Sequence, residues 1–219
     1  MWPQFIIPLH LFLGHVVADH GFTNNAKIRE YRGLKLVGHM VWSILAILAF
    51  TFDTLLKTLE GRMVLLASFL VHIAGDYLRT EFHRLGKKRW IDFLELFELI
   101  FFFVVNWYFK DLLNASYLST VFVFYLIGMN LVSVAATYFF RNFKPGNPNI
   151  SDIEGISERL AFFVFYLAGK PLFAFLSLLI GFLYRLWKFR RPREDWWVSP
   201  AWGIFVSVLW RFLMYRGIA

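Results

Sequence analysis

The sequence contains no cysteine. It can form no disulfide, offers no thiolate to a metal, has no cysteine nucleophile and carries no redox signature of its compartment. Charge is scarce too: Asp, Glu, Lys and Arg make up 17% of the 219 residues, where a soluble domain carries about a quarter. There is no P-loop, no Gly-x-Ser-x-Gly elbow, no dinucleotide fingerprint and no His-Glu-x-x-His pair. ATP hydrolysis, serine hydrolysis and the common zinc-protease chemistry therefore have no support. What is abundant is apolar: 58% of the chain is hydrophobic, with 27 Phe, 9 Trp and 9 Tyr. That composition excludes disorder, argues against a soluble enzyme and points to a bilayer. The net charge of +8 then reads as basic loops beside anionic lipid headgroups, with no nucleic acid as partner.

A membrane helix needs about 20 largely apolar residues. On that scale the chain predicts an all-α, polytopic transmembrane helix bundle of seven to eight segments: 2–20, 34–52, 63–78, 90–109, 118–140, 152–168, 171–187 and 199–215. The first carries Gln4, His10, His15, Asp19 and His20 and lacks a basic leader, so it reads as a retained span and not a signal peptide. Ser151 and Glu154 have capping-box spacing. Gly169-Lys170-Pro171 reads as a helix end followed by a new start, and Ser199-Pro200 as the opening of the last helix. An interfacial helix plus one span is the other division of 152–187. With eight segments, four alternate loops hold 17 of the 23 Lys and Arg, among them Lys27, Arg29, Arg79, Lys87, Arg141 and Arg185. By the positive-inside rule these loops face the cytoplasm of a bacterial inner membrane and both termini lie outside. The expected organisation is a membrane unit of five spans over 1–140, a Pro/Gly/Asn-rich linker over 141–151, and a helical hairpin plus last span over 152–219.

The first unit holds an internal echo. Span 1 contains His15-Val-Val-Ala-Asp19 and span 3 contains His72-Ile-Ala-Gly-Asp76. Each ends its span on the basic side, so 1–52 and 63–109 read as two copies of one hairpin. An i, i+4 spacing sets both groups on one helical face. His39 lies one turn into span 2 from the same side, and Asp92, Glu95 and Glu98 lie in the first turns of span 4. Four consecutive spans thus bring imidazoles and carboxylates to a similar depth. Imidazole plus carboxylate without thiolate suits a divalent metal such as Zn, Mn or Fe. His15, Asp19, His39, His72 and Asp76 are the candidate ligands. Glu95 and Glu98 are the candidate catalytic groups, as base or further ligand.

Plainer roles fit the same residues. His-x-x-x-Asp can be a self-satisfied pair that fixes helix packing. Asp92 suits a helix N-terminus, and Glu95 or Glu98 can pair with a loop cation. His10 can be a core hydrogen-bonder. The functional readings are a metal-dependent membrane enzyme of hydrolase type acting on a lipid or headgroup, an accessory subunit of a larger membrane complex, or a small-solute or ion carrier using the carboxylates as a relay.

These residues, in this order, resemble the bacterial and phage membrane proteins of domain-of-unknown-function family 3307. The resemblance rests on His15/Asp19, the basic loop 27–35, His39, His72/Asp76-Tyr77, Gly155-Ile-Ser-Glu158-Arg159 and Leu167-Ala168-Gly169. The chain departs from that pattern at Thr23, where the family has Gln, and at Trp42-Ser43, where a second His is common. It departs again at Leu94 to Glu98, where the family has Asp-Gln and then His. The resemblance implies a fold and a site position, not a reaction.

Overall fold

The computed structural model describes residues 6–21, 25–142, 152–190 and 195–215. Its structure is all-α, with no strand among the described residues. Eight main helices follow one another among the described residues. They are α1 (His10–Val16, prolonged by a π-helical turn Val17–Gly21), α2 (Leu34–Leu55), α3 (Leu59–Arg84) and α4 (Lys88–Tyr108), then α5 (Thr120–Asn130, a π-helical turn Leu131–Ala135, and Ala136–Asn142), α6 (Ile153–Leu167), α7 (Pro171–Phe189) and α8 (Asp195–Tyr215). Each expected segment is a helix, but their lengths differ from expectation.

Five stretches are long and apolar enough to cross a membrane: α2, α3, Thr120–Arg141 of α5, α7 and Trp196–Tyr215 of α8. That is fewer than the seven to eight spans the sequence suggests, for identifiable reasons. α1 with its π turn begins at His10 instead of residue 2, and twelve helical residues rise only about 18 Å. α4 carries Lys88, Arg89, Asp92, Glu95 and Glu98. α6 has 15 residues, with Glu154, Glu158 and Arg159 among them. The break at Gly169 stands where expected: its φ of +71° is open to a residue without a Cβ, and Pro171 opens α7. The last helix starts earlier than expected, at Asp195, and Pro200 lies inside it. Ser199 is thus no cap; its Oγ accepts from Arg159 Nη1 at 2.5 Å. The capping-box residue Ser151 lies outside the described residues.

The chain forms two compact units that meet inside α5, one over 6–126 and the other from 127 onward. In the first, α1 packs on α2 and α4, and α3 packs on α2 and α4. Leu11, Ile47, Leu55, Val64, Leu65, Phe102 and Leu113 form its buried apolar core. In the second, α6 packs against α7, α8 and the π turn of α5. Beside that apolar core, Arg79 and Arg159 are fully buried, while Leu34, Leu59, Phe93, Leu172, Ile180 and Phe205 are more than half exposed. Internal charge beneath an apolar surface is the pattern of a protein solvated by lipid.

Candidate metal centre

α1 starts without a side-chain cap of its own. Asn106 of α4 supplies one: its Oδ1 accepts the backbone N–H groups of Leu11 (3.0 Å) and Phe12 (3.2 Å), and its Nδ2 donates to the Pro8 carbonyl (2.5 Å). His10, fully buried, hydrogen-bonds the Leu118 carbonyl through Nε2 at 2.8 Å, the core role open to it from sequence. Held at its start, α1 brings His15 and Asp19 down beside α2 and α3. The π turn Val17–Gly21 contains Asp19 and inserts extra backbone between His15 and the carboxylate.

The basic ends of α2 and α3 bring the other groups in. His39 lies five residues after Leu34, and Asp76 eight residues before Arg84, so they sit about 8 and 12 Å beneath the helix ends. His39 Nε2 is 3.3 Å from Asp76 Oδ2 and 4.0 Å from Asp19 Oδ1. His72 Nε2 is 3.5 Å from Asp76 Oδ2 and 3.6 Å from Asp19 Oδ1. One atom from each of the four lies within 4.8 Å of the others, and none of the four residues is more than 5% exposed. Metal–N and metal–O bonds of about 2.0–2.2 Å set tetrahedral ligand atoms about 3.3–3.6 Å apart. Asp19, His39, His72 and Asp76 can therefore hold a metal ion. The donor chemistry agrees: His39 Nε2, His72 Nε2 and Asp76 Oδ2 are buried and make no hydrogen bond among the described residues, where buried polar atoms are normally paired.

His15, expected beside these four, stands one step back. Its Nδ1 faces His72 Nδ1 at 3.3 Å, and its ring stacks on Phe102 with centroids 4.1 Å apart. It is placed to fix the orientation and tautomer of His72, as outer partners of ligating histidines do. The two candidate catalytic glutamates separate. Glu98 is 1% exposed and accepts from Arg79 Nη2 at 2.8 Å. Glu95 is nearer the surface, accepts from Arg29 Nη2 at 2.9 Å and lies 3.8 Å from Arg79 Nε. Asp92 is exposed, as a residue near a helix start often is.

No protein-family model matches the chain, and no curated protein and no solved structure is similar to it.

Sequence reasoning missed Arg79, Arg29 and Gly75. Arg79 counted as a loop cation, yet it is fully buried among Asp19, Asp76 and Glu98. The signal was available: 72, 76 and 79 follow one another at helical spacing. Gly75 lies within the His72–Asp76 motif. A Cβ built on it would fall 1.5 Å from Glu98 Oε1, so its hydrogen is what lets α4 bring Glu98 against α3. Asp19, Asp76, Glu95 and Glu98 are four carboxyl groups answered by two guanidinium groups, those of Arg29 and Arg79. An added cation would ease that excess of carboxyl groups, because buried charge left unbalanced is costly.

Proposed function

We propose that this chain is a multi-pass protein of the bacterial inner membrane, with its basic loops against anionic headgroups in the cytoplasm, and that Asp19, His39, His72 and Asp76 hold one divalent cation. Zn, Mn and Fe suit a set of two imidazoles and two carboxylates. The observation that carries the reading is the set of four inter-residue distances, 3.3, 3.5, 3.6 and 4.0 Å, among donors from three helices. The ordered motifs that resemble family 3307 support the same site position.

The activity proposed is hydrolysis of a lipid or headgroup. A cation bound there supplies Lewis acidity and a water that deprotonates near neutral pH. The chain's own part is to exclude bulk water, orient His72 through His15, and offer Glu98 as a spare carboxylate whose Oε1 makes no hydrogen bond among the described residues. The shallow depth beneath the basic ends of α2 and α3 favours a substrate at the headgroups. A second reading, a structural centre that ties α1 to α2 and α3, is favoured by the burial of all four donors, because four-ligand closed sites are usually structural.

Metal analysis of the purified protein decides the shared step. About one equivalent of Zn, Mn or Fe is expected in the wild type and none in His72→Ala; a metal-free wild type removes the proposal. Release of phosphate or fatty acid from inner-membrane lipid vesicles, lost in Glu98→Gln at full metal content, separates the enzyme from the structural centre.

A further inference from the structure

We propose that Arg79 is the positioning residue that sets which cation this centre accepts, by holding back one oxygen of each ligand carboxylate. The inference rests on the metal reading above.

Arg79 is fully buried. Its Nη2 donates to Asp19 Oδ2 and to Glu98 Oε2, both at 2.8 Å, and its Nη1 lies 3.4 Å from Asp76 Oδ1. The oxygens that face the imidazoles are the other ones, Asp19 Oδ1 and Asp76 Oδ2. Each aspartate is thus divided, with one oxygen toward the centre and the other toward the guanidinium. To chelate with both oxygens, Asp19 would have to give up its hydrogen bond to Arg79 in a place without bulk water, whereas Asp76 Oδ1, which makes no hydrogen bond among the described residues, is held by the nearby charge alone.

Arg79 therefore leaves two nitrogens and two single oxygens. That set suits a small four-coordinate cation such as Zn²⁺. It is poor for Ca²⁺, which takes six to eight oxygens and often a bidentate carboxylate. A lysine cannot do the same work. It is a point charge, whereas the guanidinium fork reaches carboxylates on α1, α3 and α4 at once. Glu98 shares Nη2 of that fork with Asp19, and Gly75 gives Glu98 its room.

The test uses the full chain in detergent, stripped by chelator, with Zn²⁺ and Ca²⁺ titrated separately into wild type, Arg79→Lys and Glu98→Gln. Arg79→Lys is expected to lose about 10–100-fold in Zn²⁺ affinity, the usual effect of removing an outer-shell partner. Its Ca²⁺ affinity is expected to hold or rise, so the preference narrows. X-ray absorption at the Zn edge is expected to show one more oxygen neighbour in Arg79→Lys than in the wild type. Glu98→Gln, the milder change, narrows the preference less in the same direction. A proportionate loss of both cations in Arg79→Lys makes the residue merely structural and overturns the inference. So does an unchanged preference in Glu98→Gln, which keeps the inference open to refutation if Arg79→Lys does not fold. A wild type that binds neither cation overturns the metal reading itself, and this inference with it.

Discussion

At the scale of single residues, His15 and His72 illustrate how identical motifs come to differ. Both stand four residues before an aspartate, but only His72 turns a nitrogen toward the two carboxylates; His15 turns Nδ1 toward His72. His72→Ala is expected to abolish metal uptake, whereas His15→Ala should weaken Zn²⁺ affinity by about 10–100-fold without abolishing it. Equilibrium dialysis on both variants checks the order, and equal loss in the two would make His15 a ligand in its own right. Asn106 is a second residue whose role is set by its partners. Asn106→Ala strips the buried Leu11 N–H, the half-buried Phe12 N–H and the buried Pro8 carbonyl of their partner, and unsatisfied buried groups cost about 1–3 kcal/mol each. Thermal unfolding in detergent should show a clear loss for Asn106→Ala and a smaller one for Asn106→Asp, which keeps the acceptor. The chemistry of the centre was legible in the sequence because imidazoles and carboxylates are conspicuous in an apolar chain. Arg79 was legible only through its helical spacing from His72 and Asp76, because an arginine five residues before a basic helix end otherwise looks like a loop cation.

At the scale of elements, the all-α character and the order of the helices among the described residues were legible, because apolar runs and the Gly169-Pro171 break are local signals, whereas the number long and apolar enough to cross a membrane is five and not seven to eight. The two π turns were not legible. A π turn costs one extra residue in a helix that otherwise continues, and it leaves no compositional mark. In α5 the turn Leu131–Ala135 presents the carbonyls of Val132 and Ser133 to Arg159, which donates to them at 2.6 and 2.9 Å. The same guanidinium reaches Asp152 at 2.7 Å and Ser199 Oγ, so one α6 side chain ties together α5, α8 and the residue before α6. Arg159→Leu removes the guanidinium that pairs with the buried Asp152 carboxylate and leaves the Thr137 hydroxyl donating to it. Breaking a buried pair from one side costs about 3–5 kcal/mol. The variant should unfold at markedly lower temperature or denaturant, and Arg159→Leu combined with Asp152→Asn should recover part of the loss. No recovery in the double variant would mean that the carbonyl contacts, not the ion pair, carry the stability.

At the scale of the whole molecule, apolarity alone underestimates how many helices traverse a unit. α4 fails on its charges, yet Leu113, just beyond its end, joins Leu55 and Leu65 in one buried cluster. α4 therefore runs the length of the first unit, from the basic end at Lys88 to the end where α2 turns into α3. Its glutamates are tolerated because Arg29 and Arg79 answer them from inside, and paired internal charges are the form in which membrane proteins carry them. This makes the proposed orientation testable at one position. The chain has no native cysteine, so single cysteines report without background. Lys57→Cys should react with a membrane-impermeant maleimide in intact cells, and Lys87→Cys only after permeabilisation. Lys110→Cys decides between the counts: α4 as a crossing helix puts it outside with Lys57, whereas α4 lying on the inner face puts it inside with Lys87. Reaction of Lys110→Cys in intact cells is the expected result. Protection there would return the first unit to two crossing helices before α5 and remove the frame in which Glu98 meets α3 within the membrane.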